Sequence, residues 1–177
     1  MRLFFALLAL FANAATIAIV VIAIAGRTGP SGQAVRARVF GAFRGLELWF
    51  GFAVATTATL GSLYLSEIVH LIPCTYCWYQ RIAMYPLVVI LGIAALRKDQ
   101  GVRIYATALA VIGAVIAFYH RIVQAFPELN GSTCSSGVPC TAAYFTLFGF
   151  VTIPYMALSG FLLILALLYV DRSNSAA

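Results

Sequence analysis

Cys74 and Cys77 stand two residues apart in IPCTYCWYQRIAM, residues 72–84, with Trp78, Tyr79 and Arg81 directly behind them. Such a pair closes into a disulfide and reopens to a dithiol with little backbone movement. A helix beginning near Pro73 points its unpaired N–H groups at both sulfurs and favours thiolate. Arg81 follows Cys77 by four residues, one helical turn on along the same face. Thiolate beside a fixed cation is redox chemistry. The competing readings are a structural disulfide and half of a zinc site. Zinc needs a second close Cys or His pair in tetrahedral reach, and no metal site is expected here. Covalent haem attachment needs histidine after Cys77, where Trp78 stands.

A second pair, Cys134 and Cys140, lies in CSSGVPC with Gly137 and Pro139 between the sulfurs. The segment is polar and turn-rich, which suits a small disulfide ring. Such a ring either pins its loop or takes part in exchange. By itself the motif leaves both readings open.

The elements that must position these sulfurs are membrane helices. Of 177 residues, 63% are hydrophobic and 9% charged, and the mean hydropathy is +1.00. A soluble domain carries roughly a quarter of its residues charged, so this chain expects lipid. The net charge of +6 is spread in short clusters between apolar runs rather than gathered in a patch. That pattern excludes a nucleic-acid surface and marks the cytoplasmic side of a multi-span protein.

Runs near the length of about 20 residues needed for a span cover residues 3–25, 46–65, 78–96 and 104–119, with a fifth inside 144–170. Pro86 falls within the third, and Pro154 divides an interfacial lead-in from the fifth. Residues 26–45, with Arg27, Arg36, Arg38 and Arg44 among Gly, Pro and Ser, read as a flexible basic loop. Residues 97–103 read as a tight basic turn, and residues 171–177 as a polar tail. These three segments hold eight of the eleven Lys and Arg. The bias sets the N-terminus outside and the C-terminus in the cytoplasm. Both cysteine pairs then share the outer face, the oxidising side that paired cysteines call for. On one face, exchange between the pairs becomes the better account of the loop disulfide. Arg2 ahead of a long apolar run is also the pattern of a signal peptide. The run exceeds the usual hydrophobic core of one, and an uncleaved anchor is expected.

Electrons arriving at Cys74/Cys77 need an exit, and no flavin, haem or iron–sulfur motif is present. A lipid-soluble quinone can approach from within the bilayer, given an apolar slot and a cation for its oxygen. Trp78, Tyr79 and Tyr85 are the aromatics that can line such a slot, although interfacial belts collect Trp and Tyr anyway. Arg81 is the stronger signal. A cation at mid-bilayer costs roughly 2.5–3.5 kcal/mol on insertion scales, less near the edge, and no acidic residue lies within a turn of it. His120 ends the fourth span on the same face; it is either an interfacial residue or a contact for the quinone or the thiols. Glu67 and His70 precede the first pair and are candidates for proton gating.

The stretches SLYLSEIVHLIPCTYCWYQRIAMYPLVVILGIA, FYHRIVQAFPELNGSTCSSGVPC and FGFVTIP resemble the DsbB family of membrane disulfide oxidoreductases, most of all its short BdbC-type members from Gram-positive bacteria. The likeness covers about residues 61–168, with both cysteine pairs in family order and the arginine four residues after the second cysteine. It implies an all-α integral membrane protein, a four-helix bundle over residues 46–170 that reoxidises an extracytoplasmic thioredoxin-like thiol oxidase of DsbA/BdbD type. The electrons would go to a quinone, ubiquinone or menaquinone, in the bacterial cell membrane. By matched position Cys134 is attacked by the partner's thiol and Cys140 is its loop mate. Cys74 exchanges with the loop cysteines, while Cys77 faces the quinone with Arg81 and His120. Vitamin K epoxide reductases run similar chemistry, but their loop pair precedes the Cys-x-x-Cys; here it follows. One departure is plain: residues 1–45 add a fifth span and a basic loop in front of the bundle. A non-catalytic scaffold with two stapling disulfides is the rival from another class. A transporter would carry ionisable residues at mid-depth, and these cluster at the span ends.

Overall fold

A computed structural model describes residues 2–129, 134 and 138–175. Among the described residues six α-helices carry the chain: α1 (Arg2–Ala25), α2 (Pro30–Ala42), α3 (Glu47–Leu63), α4 (Thr75–Arg97), α5 (Arg103–Ala125) and α6 (Ile153–Ser175). A π-helical turn, Tyr64–Ile68, extends α3, and a 3-10 turn, Pro127–Leu129, follows α5. All but α2 are long and apolar enough to span a bilayer. The chain is a multi-pass membrane protein.

The bundle closes as α3 on α4, α4 on α5, α5 on α6 and α6 back on α3, with α1 laid against the outside of α6. Small residues make this possible, because lipid gives no hydrophobic drive between helices and close backbone approach must supply contact. Ala55, Ala83, Ala106, Ala110 and Ala117 are buried in the core around Leu87, Leu91, Phe161 and Ile164. At Gly113 any Cβ would overlap the Phe161 ring, so α5 and α6 meet there only through glycine. Outward, Ile104, Leu96, Ile82 and Val115 are exposed, as lipid-facing positions should be.

The basic stretch after α1 is not the flexible loop its composition suggests. Residues 30–42 form α2, with Pro30 in the first turn where its fixed φ suits a helix start. Phe40 is buried with Ala23 of α1 and Val170 of α6, and Arg36 lies over the Phe40 ring while donating to Ser173 Oγ at 2.6 Å. Tertiary contact overrode a weak local pattern. At the same end of the bundle Glu47 accepts from Gly45 N at 2.7 Å and from Asn174, and Arg103 pairs with Asp171 at 3.1 Å. Residues 171–175 are thus the last turns of α6 rather than tail; Ala176 and Ala177 lie outside the described residues.

Pro154 sits at the second position of α6 and does separate the span from a lead-in. That lead-in folds as a tight turn, bridged between Leu147 and Val151, with Phe148 and Gly149 at positive φ.

Candidate redox site at the mouth of α4

The π-helical turn and a left-handed His70 (φ 56°) end α3, and the chain runs into α4 over residues 71–74. Cys74 is the N-cap of α4, and its Sγ accepts from Cys77 N at 3.4 Å. Cys77 lies within the first turn itself. The expected embrace of both sulfurs by the helix start is therefore confined to Cys74. The helix begins at Thr75, two residues later than Pro73.

The two sulfurs are unbridged and 2.8 Å apart, whereas Cys134 and Cys140 are joined as a disulfide. The dithiol and the disulfide share one buried cluster with Tyr76 and Val123. Of the CSSGVPC turn, Ser135 to Gly137 lie outside the described residues.

His120 of α5 stands between the pairs. An amide nitrogen can only donate, so the 3.0 Å contact from Gln80 Nε2 makes His120 Nδ1 the acceptor. The ring proton then sits on Nε2, which donates to Cys140 O at 3.1 Å and faces Cys74 Sγ at 3.6 Å. Tyr76 packs on the ring at 5.4 Å. The hydrogen bond from the Cys77 thiol, with help from His120, holds the Cys74 thiol well below its ordinary range, against burial, which raises it. Cys74 Sγ, Cys77 Sγ and His120 Nε2 lie within 4.8 Å of one another. With its proton turned to Cys140 O, Nε2 has no lone pair to offer a metal.

On the far side of Cys77 opens a cavity of about 350 Å³. Its polar end is built by Cys77, Gln80, Arg81, Tyr85 and Ser62; the rest is mostly apolar, with Thr57, Ser66 and Tyr144 the other polar side chains in the wall. Arg81 is fixed in place by Ser62: Nε donates to Oγ at 3.0 Å and Nη2 to the carbonyl at 3.1 Å. Tyr85 OH reaches the same Oγ at 3.5 Å. The guanidinium also lies 5.1 Å from the Trp78 ring centre, and among the described residues it makes no ion pair.

Of the residues singled out from sequence, Cys77, Arg81 and Tyr85 line this cavity. Trp78 and Tyr79 do not; both face outward and are exposed. The Trp78 ring meets the site through the Arg81 guanidinium. His120 lies on the opposite side of the dithiol, in a small crevice with Cys74, Gln124 and Pro139. Glu67 and His70 are exposed and line neither space. Ser62 and Gln80 were not anticipated. Ser62 is one of several small hydroxyl residues in its span, and the one signal for Gln80 was its amide beside the cysteine motif.

The family model described as "Disulfide bond formation protein DsbB" matches residues 44–170. The chain is 49% identical over 129 residues to "Probable disulfide formation protein C 2" of Bacillus anthracis, covering 73% of this chain and 92% of that protein. It is 51% identical over 119 residues to "Disulfide bond formation protein C" of Bacillus subtilis (strain 168), covering 67% and 86%. No solved structure matches the chain.

Proposed function

The chain belongs to the DsbB family of disulfide bond formation proteins and is a membrane disulfide oxidoreductase; we propose that it reoxidises an extracytoplasmic thioredoxin-like thiol oxidase and passes the electrons to a membrane quinone. One observation carries this reading. The Cys74/Cys77 dithiol forms the partition between the loop disulfide on one side and the cavity on the other.

The cavity fits a quinone by its donors and its shape. Its volume lies in the range of small-molecule sites, about 300–1,000 Å³. Arg81, oriented by Ser62, and Tyr85 would hold the ring oxygens, and the apolar walls would hold the tail. Bound there, a quinone supplies an acceptor for two electrons and two protons.

The protein's own residues do the rest. A reduced partner's thiolate attacks the Cys134–Cys140 disulfide; Cys134 forms the mixed disulfide and the Cys140 thiolate leaves. The partner's second thiol then releases it oxidised, so the loop holds a dithiol. Exchange with an oxidised Cys74–Cys77 pair restores the loop disulfide and leaves Cys74 and Cys77 reduced, the state seen here. His120 Nε2–H stabilises charge on Cys74 during that exchange. Cys77, on the cavity wall beside Arg81, is the sulfur from which the pair is reoxidised, and closing the disulfide releases two electrons and the Cys77 proton, the proton of the ionised Cys74 having already gone to solvent. The eight basic residues at the opposite end of the bundle favour an outer position for both pairs in the bacterial cell membrane, with the N-terminus out and the C-terminus in.

The test uses the purified full chain with a reduced thioredoxin-like oxidase and a short-tailed ubiquinone or menaquinone. Wild type should oxidise the partner at the expense of quinone, and Cys77→Ser should stop quinone reduction while the loop pair still exchanges with the partner. Quinone reduction by Cys77→Ser at the wild-type rate would remove the assignment.

A further inference from the structure

We propose that α1, which lies outside the family-matched segment, is the outer wall of the acceptor cavity and selects the acceptor by its tail. The inference rests on the quinone reading above and extends it to a part of the chain that the four-helix bundle does not include.

Four helices line the cavity, and α1 is one of them, contributing Phe5, Leu8, Ala9, Phe11 and Ala12. These positions recur at three- and four-residue spacing, so they form one face of the helix. Ser62, Arg81 and Cys77 gather at one end, Thr57 is the one polar residue lower on the α3 wall, and α1 lines the cavity with apolar residues alone. From Ser62 to Phe50 the α3 wall descends twelve residues, about 18 Å at a helical rise, without a charged group. A ring at the polar end therefore leaves its substituent lying along α1, with Phe11 exposed at the mouth. Without α1 this space would be a groove open to lipid between α3 and α6.

The helix is held in register rather than resting loosely against the bundle. Asn13 Nδ2 donates to Tyr155 OH at 2.7 Å and to Ser159 Oγ at 3.0 Å. Two directed bonds to α6 within a span of mostly apolar residues fix both its depth and its rotation. Ala6, Ala9 and Ala12 are buried at the α1–α6 contact. At the polar end the Phe5 ring packs over Gly61, where a Cβ would come within 2.9 Å of it. The occupant this geometry suits is a lipid-soluble quinone whose aliphatic tail reaches α1.

The experiment measures equilibrium binding with the full chain, from quenching of tryptophan fluorescence, for a decyl-tailed benzoquinone and its tail-less analogue. Leu8→Phe narrows the wall and Phe5→Ala opens it; Leu7→Ala, on the exposed face of α1, is the control. Leu8→Phe and Phe5→Ala should each shift the dissociation constant of the decyl compound about tenfold, leave the tail-less compound within twofold, and spare thiol exchange. A quinone with a photoreactive group at the tail end should label residues 2–25. Normal binding of both compounds by both variants, with label confined to α3, α4 and α6, overturns the role of α1 and leaves the proposed function standing. A wild type that binds neither compound overturns both, and the two failures are thereby told apart.

Discussion

Gln80 donates to His120 Nδ1 at 3.0 Å, and this one bond decides what the ring offers to the sulfurs. It puts the proton on Nε2, facing Cys74 and Cys140 O. Replacing Gln80 by Leu leaves a buried nitrogen unpaired, a loss of about 1–3 kcal/mol, and releases the tautomer. Gln80→Leu should slow exchange between Cys74 and the loop disulfide about tenfold in rapid-quench thiol trapping. Gln80→Asn, too short to reach, should behave likewise. Unchanged exchange in both would deny the ring its orienting role.

Arg81 depends on a fork of two bonds to Ser62. Arg81→Ala should raise the KM for quinone by tenfold or more in steady-state assays, with partner exchange spared. Lysine cannot reproduce the paired Nε and Nη2 contacts, so Arg81→Lys should recover little. Ser62→Ala removes one acceptor and should raise the KM a few-fold. Wild-type KM in all three variants would detach the cation from the site.

The lowered acidity range of Cys74 has a definite sign. A thiol whose pKa falls on folding stays ionised as pH drops through the ordinary thiol range near about 8.5. The thiolate's contribution to stability is likewise present above the unfolded value and fades only as pH falls through the folded one. Thiolate absorbance of the reduced pair should therefore persist well below neutral pH in wild type. Cys77→Ala removes the largest cause, the hydrogen bond from Cys77, and should move the loss of that absorbance upward. A single titration near the ordinary thiol value in both proteins would contradict the arrangement.

At Gly113, α5 packs directly against the Phe161 ring of α6. Gly113→Ala gains roughly 1 kcal/mol of helix propensity but drives a methyl into the Phe161 ring. Overpacking of this kind costs about 1–3 kcal/mol, so the melting temperature in detergent should fall. Phe161→Leu in the same background should restore part of it. A rise in melting temperature for Gly113→Ala alone would mean the contact gives way freely.

Sequence made the spans legible because apolar length is nearly all a membrane helix requires, and residues 3–25 match α1 almost to the residue. The dithiol motif was legible because its spacing is its chemistry. Residues 30–42 were not, since Pro, Gly and scattered arginine hide a helix whose stability comes from burying Phe40 against α1 and α6. Trp78 and Tyr79 looked like cavity residues because they neighbour Cys77 in the chain. On a helix, immediate neighbours point different ways, and Arg81 and Tyr85, at four-residue steps from Cys77, took the places instead. Ser62 could not be found, because its role exists only once α3 lies beside α4.

The wide turn at residues 64–68 has a consequence for how this chain tolerates change in length. A π-helical turn packs one more residue into its turn than an α-helical one, and it closes α3 between Ser62 and Cys74. Deleting a single residue there would close α3 with an ordinary turn and carry the exit of the chain round by about 100°, which the non-helical residues 71–74 would have to take up before α4. The spare residue sets where the chain leaves the helix that carries the anchor, and the connector behind it leaves the helix that carries the sulfurs free to keep its own packing.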